Sequence, residues 1–166
     1  MKANFSKINI SLKERKEAIH NASKIRNKFD SLQHNLYTIE NKKIINENVY
    51  RYRIVLKEEC EIFKVHFPSL PVVPGSYILD MAKELIEDFQ NQKMMLREAN
   101  NIRFYSPIHL NTDPIIDFYF EKEEENSEEQ LFDPFYRVFL VIRKQDTLQE
   151  ENILAEMHLV LELIKN

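Results

Sequence analysis

The chain has 166 residues, a formal net charge of −4 and a pI near 5.8, with 43% hydrophobic and 30% charged residues. This length fits one domain, and the acidic balance argues against a general nucleic-acid binder, which needs a basic face. The lone cysteine, Cys60, excludes an intrachain disulfide and metal sites built on several cysteines, so a reduced, cytoplasmic setting is the default expectation. Met1 to Lys16 lacks the apolar core of a secretory signal, and no apolar run approaches the ~20 residues of a membrane span.

Residues 1–33 read as a basic amphipathic helical extension, and residues 34–166 as the main domain. Ser11-Leu12-Lys13-Glu14 has the form of a capping box. Ala18, Ala22, Ile25, Phe29 and Leu32 then form one apolar seam at helical spacing. This segment carries eight Lys and Arg against three acids, net +5, which leaves −9 for the rest of a chain whose total is −4. Such a helix either packs on its own acidic body or offers a basic surface to an acidic partner. Asp30-Ser31-Leu32 matches the tripeptide at which carrier proteins take phosphopantetheine. Its basic surroundings and the strand pattern that follows make the match a coincidence.

Leu36–Ile45 and Asn48–Leu56 read as a hairpin about an Asn-Glu-Asn turn. A helix is predicted from about Ser76 to Asn91 or Lys93. Within it Ile78, Met81, Ala82, Leu85, Ile86 and Phe89 fall on one stripe. At 100° per residue, Asp80, Glu84 and Glu87 project away from that stripe. Strands are predicted at Leu96–Tyr105, Asp113–Lys122, Phe135–Lys144 and Asn152–Leu163. Val138 to Ile142 is an apolar run suited to a well-buried strand. Glu121 to Gln130, with six glutamates and one lysine, suits a solvated loop. Two strands, a helix and four strands make an α+β architecture, one helix against an antiparallel sheet.

The chemistry concentrates between His66 and Asp80, a stretch with three of the six prolines and the sole glycine. Gly75 follows Pro74 where the helix pattern begins. Glycine permits backbone torsions and close approaches denied to other residues, which makes a bare backbone there a candidate requirement. His66 before it and Asp80 after it form a candidate acid/base pair. His109 and His158 read as surface or sheet residues. No His and carboxylate grouping has metal-ligand spacing, and neither a nucleophile elbow nor a phosphate loop occurs.

His66, Phe67, Pro68, Pro71, Pro74, Gly75 and Asp80 stand in the order His-Phe-Pro-x-x-Pro-x-x-Pro-Gly-x-x-x-x-acid. This resembles the signature of the 3-hydroxyacyl-acyl-carrier-protein dehydratases of fatty acid synthesis. Ile102 to Ile108 and Ile153 to Glu156 are similar to that family's strand after the helix and its final strand. The resemblance spans about residues 35–165. It implies a hotdog fold, a long helix wrapped by a curved antiparallel sheet. It implies a homodimer with shared active sites, where the histidine of one subunit meets the carboxylate of the other. It also implies dehydration of 3-hydroxyacyl thioesters to trans-2-enoyl thioesters, with no bound cofactor. The substrate would ride on the phosphopantetheine of an acidic acyl carrier protein or on coenzyme A. By the same resemblance His66 takes the proton next to the thioester, Asp80 helps the β-hydroxyl leave, and the Gly75 N–H binds the thioester oxygen. Phe67, Phe104 and Ile108 are candidates for lining an acyl tunnel.

Two positions depart from the pattern: Ser69 where the family has Gly, and Glu84 where a Gln supports the carboxylate. A carboxylate one turn from Asp80 tends to raise the pKa of one of the two, and so either keeps Asp80 an acid or marks a decayed site. The family's Pro-Gly-Asp loop has no match, and His109-Leu110-Asn111 occupies that region. Two other readings stay open: a hotdog thioesterase, and a non-catalytic subunit or acyl-binding module.

Overall fold

The computed structural model describes residues 13, 16, 17, 35–66, 68–124, 133–145 and 152–165. The remainder of the N-terminal extension, with its capping box and apolar seam, and most of the acidic loop lie outside the described residues. The elements are β1 (Tyr37–Ile44), β2 (Val49–Leu56), a short helix α1 (Ile62–Val65), the long helix α2 (Gly75–Gln90), β3 (Met94–Phe104), β4 (Ile115–Lys122), β5 (Phe135–Lys144) and β6 (Ile153–Leu163). The six strands form one sheet in the order β1-β2-β4-β5-β6-β3, antiparallel throughout. The sheet packs one face on α2, which gives the expected α+β hotdog architecture.

Period-two alternation builds the core. Tyr50, Tyr52, Ile54 and Leu56 of β2 point inward, as do Ile116, Phe118 and Phe120 of β4 and Val138, Leu140 and Ile142 of β5. Ala155, Met157, Leu159 and Leu161 of β6 complete this face. The last segment is the expected strand, although its Leu, Glu and Ala favour helix. Val138 to Ile142 is buried on one face only, since Phe139 and Val141 are half-buried on the other. Tyr77, Ile78, Met81, Ala82, Leu85 and Ile86 of α2 fill the concave side.

Several details were not expected. Residues 57–65, for which no element was predicted, contain α1, which buries Ile62 and Phe63. β3 starts at Met94, two residues before the predicted Leu96. Glu87 does not project outward: it is 7% exposed. It accepts hydrogen bonds from the Met94 N–H at 2.9 Å and from Lys83 and Lys93 Nζ at 2.7 and 3.3 Å. Burial pushes its pKa up, but the Lys83 and Met94 hydrogen bonds and the two lysine charges outweigh that and hold it below the usual carboxylate value.

A chain with one glycine uses asparagine where the backbone turns left-handed. Asn91 (φ 50°) closes α2, and the Gln92 N–H reaches back to Glu87 O at 3.2 Å, the six-to-one bond of a Schellman ending. Asn101 (φ 51°) lies inside β3. There the ladder with β6 passes from Asn100↔His158 to Arg103↔Glu156, so two residues of β3 stand against Met157 alone, one extra. Such a bulge changes which face the following residues occupy. Asn100 shares the outer face with His158, and Arg103 shares it with Glu156. Phe104, paired with buried Ala155, is thereby turned to the inner face.

Candidate active site

The proline-rich stretch is a braced connection between α1 and α2. The Val73 N–H donates to Ile108 O at 3.0 Å and the Leu110 N–H to Pro71 O at 3.1 Å, and Val72 bridges His109. Prolines suit this role because they bring no N–H that would need an acceptor. His109, whose region stands in place of the family's Pro-Gly-Asp loop, is part of this brace.

His66 ends α1, where its N–H donates to Ile62 O at 2.8 Å, and is 7% exposed. Its Nδ1 lies 3.1 Å from Val72 O. A carbonyl only accepts, so Nδ1 carries the proton and Nε2 holds the lone pair. Burial lowers the His66 pKa from its ordinary value, and the bond to Val72 opposes this only in part. The ring is thus neutral at pH 7 with a defined tautomer, the state a general base requires.

α2 begins at Gly75 after Pro74 (φ −60°, ψ 144°), and no side chain caps it. Pro74 O accepts from the N–H groups of Tyr77 and Ile78 at 3.0 and 3.1 Å. The N–H groups of Gly75 and Ser76 have no acceptor among the described residues. They sit at the positive end of a sixteen-residue helix, a place suited to an oxygen that gains negative charge. Gly75 does not have a positive φ, so its torsions are ones any residue adopts. A Cβ built there would touch the Phe104 ring at 3.4 and 3.6 Å, ordinary contact distances.

The other expected site residues divide. Asp80 is half-buried on α2. Glu84 is held elsewhere, its Oε2 accepting from the Tyr37 hydroxyl at 3.0 Å. Ser69 is exposed in the braced connection. Phe104 lies against Gly75, while Ile108 is 2% exposed and joins the core. Phe67 lies outside the described residues. The tyrosines of the first hairpin are a contribution that the motif did not reveal. Tyr37 and Tyr52, with fully buried rings, send their hydroxyls to Glu84 and to Asp88 Oδ2 (2.6 Å). This accounts for a helix face rich in carboxylates beside a hydrophobic sheet. A tyrosine at an inward strand position was the available signal, because a buried hydroxyl must find a partner. Among the described residues no group of three His, Cys, Asp or Glu is placed to hold a metal ion, and no helix is long and apolar enough to cross a membrane.

Comparison with solved structures returns proteins of this architecture at low identity. The dehydratase heterocomplex ApeI:P from Xenorhabdus doucetiae aligns with a TM-score of 0.53 at 10% identity, over 75% of this chain and 96% of that one. A hypothetical thioesterase from Streptococcus pneumoniae, solved with coenzyme A, gives 0.50 at 9% identity, over 77% and 89%. A Bacillus halodurans protein, also solved with coenzyme A, gives 0.50 at 11% identity, over 97% and 98%. At these identities the likeness establishes the fold alone. No functionally curated protein matches the sequence. The sequence profile described as ApeI-like, ApeI dehydratase, matches residues 40–133, which takes in His66, Gly75 and Asp80. With more than half of its length matched, the chain belongs to the ApeI-like dehydratase family of hotdog proteins.

Proposed function

We propose that this protein removes water from 3-hydroxyacyl thioesters to give trans-2-enoyl thioesters. The observation that carries the proposal is the pairing of a neutral histidine of fixed tautomer, nine residues upstream, with an open helix N-terminus at Gly75. An α-proton beside a thioester is weakly acidic, so its removal needs a base and stabilisation of the enolate oxygen together. His66 Nε2 takes the α-proton while the Gly75 N–H holds the thioester oxygen. As the enolate collapses, the C3–O bond breaks and the hydroxyl leaves as water with a proton from Asp80. No bound cofactor takes part.

The acyl group travels on the phosphopantetheine of an acidic carrier protein or on coenzyme A. The active unit is a homodimer, with Asp80 of one protomer serving the His66 pocket of the other. Its support is β3, an edge strand of eleven residues with Met95, Ile102 and Phe104 exposed. A strand edge of that length can pair with the same edge of a second copy. Purified protein is expected to hydrate a trans-2-enoyl thioester in the reverse direction, read as the mass gain of one water, and His66→Ala to abolish this. Release of free thiol with the hydroxyl retained would instead identify a thioesterase. Activity only after addition of a related hotdog chain would identify a subunit of a heterocomplex.

A further inference from the structure

The tautomer of His66 rests on one carbonyl, and that carbonyl is held from outside the site. The Val73 N–H bond to Ile108 O and the Leu110 N–H bond to Pro71 O flank the Val72↔His109 bridge. This is the non-hydrogen-bonded kind of antiparallel pair, in which both residues turn their own N–H and C=O away from the partner strand. The bridge therefore aims Val72 O away from residues 108–110 and onto His66 Nδ1. Among the described residues, residues 68–73 make no other backbone–backbone hydrogen bond, so the connection takes its position from the loop after β3. That loop, residues 105–114, is fastened to the sheet at both ends. The N–H groups of Tyr105 and Ser106 donate to Leu154 O of β6 at 2.9 and 3.3 Å, and Pro114 O accepts from the Leu56 N–H of β2 at 2.8 Å. Between these ends Asp113 closes a turn onto the bridge, its N–H donating to His109 O at 2.8 Å. Its carboxylate is 4% exposed, accepts from the Thr112 hydroxyl at 3.0 Å and lies 3.5 Å from Lys144 Nζ at the end of β5. A buried carboxylate is costly unless it is paired, and the pairing here ties the turn to a third strand of the sheet.

We propose that Asp113 is a positioning residue for His66, acting through the His109 turn and the Val72 bridge. The tolerance is small. The Nδ1···O separation is 3.1 Å, and a hydrogen bond is lost by ~3.6 Å, so a shift of about half an ångström frees the ring. A freed neutral imidazole populates both tautomers, and in one of them Nε2 carries the proton and no longer offers a lone pair. The start of α2 is held separately, by Pro74 O, so the grip on the thioester oxygen is spared. The effect on rate rests on the dehydratase reading; the effect on the ring does not.

The test records long-range proton–nitrogen NMR spectra of the imidazole rings, kcat and KM for hydration of a trans-2-enoyl thioester, and Tm. The proteins are wild type, Asp113→Ala, Asp113→Asn, Lys144→Met and Glu87→Ala, with His66→Asn to assign the His66 signals. Wild type should carry the His66 proton on Nδ1 alone. Asp113→Ala should show both tautomers and lose roughly 10–100-fold in kcat, the order expected of a misplaced group, with KM nearly unchanged. Asp113→Asn keeps an acceptor for Thr112 and should restore most of both. Lys144→Met should show a smaller loss in the same sense. Glu87→Ala, weakened at the far end of α2, should lose Tm but keep the wild-type ring spectrum and kcat. A folded Asp113→Ala that behaves as Glu87→Ala does, losing Tm alone, would overturn the proposal, and so would mixed tautomers in wild type. If Asp113→Ala does not fold, a wild-type ring spectrum and kcat in Lys144→Met refute it. If wild type hydrates nothing, the dehydratase reading falls, and the ring spectra alone judge the positioning.

Discussion

His66→Asn separates the chemistry of this histidine from its place in the fold. The asparagine Nδ2 lies near the position of the imidazole Nδ1 and can donate to Val72 O, the partner now at 3.1 Å, but it carries no base in place of Nε2. Loss of a positioned general base costs on the order of 10²–10⁴ in rate, equivalent to about 3–5 kcal/mol of barrier. His66→Ala removes the base and also leaves the buried Val72 carbonyl unpaired, a penalty of ~1–3 kcal/mol. For a protein of this size that lowers Tm by roughly 2–10 °C. The expected result is therefore two inactive variants that differ in stability, His66→Asn melting close to wild type. Enoyl-thioester hydration and thermal unfolding, measured on the same preparations, read the two effects separately. Since burial lowers the His66 pKa below its ordinary 6.5, the acid limb of wild-type kcat/KM should lie below pH 6.5. A folded His66→Asn that keeps wild-type turnover would refute the assignment of the base, and an acid limb above pH 6.5 would refute the desolvated, neutral ring.

Three further outcomes test how the scaffold holds the site. Glu87→Ala strands the Met94 N–H and the Lys83 ammonium at the end of α2. It should cost ~2–3 kcal/mol in urea unfolding, whereas Glu87→Gln, which keeps an acceptor for Met94, should cost about half as much. Because the folded Glu87 pKa lies below its ordinary 4.5, its contribution is present above pH 4.5 and fades as pH falls through the folded value. The depressed His66 pKa has the same sign, so stability should decline from pH 6.5 downward, and the Glu87→Gln protein should decline less between pH 5 and 3. Asp117, 1% exposed and held in a two-bond pair by Arg53 at 2.8 and 2.8 Å, should cost ~3–5 kcal/mol when replaced by Ala, because the half-buried guanidinium loses its counter-charge. Tyr37→Phe removes the hydroxyl on Glu84. It should cost ~1–2 kcal/mol while leaving hydration unchanged; a large loss of turnover would place Glu84 in the chemistry after all.

The elements were legible wherever one pattern dominated locally. The stripe of α2 and the extents of β2, β5 and β6 were read within a residue or two, because helical period and strand-forming residues are local properties of the sequence. α1 was missed, since four residues carry too little pattern to register. Glu87 was misplaced because helical phase alone puts it beside Asp80 and Glu84, and nothing local announces that Lys83, Lys93 and Met94 close around it. Glu84 was readable only as a departure from a motif. Its partner Tyr37 lies 47 positions away on another element.

By itself the sequence determined the fold class, the family motif and the residue types gathered between His66 and Asp80, because spacing and composition are properties of the chain as written. The tertiary structure decided what those residues are. Val72 O selects the histidine tautomer, and burial keeps the ring neutral. Gly75 has torsions that any residue adopts, and it lies against the Phe104 ring. Most of all, a bulge at Asn101 turns Phe104 from the outer face to the glycine. Which face a side chain occupies depends on the register between β3 and β6, and register exists only once distant strands have paired.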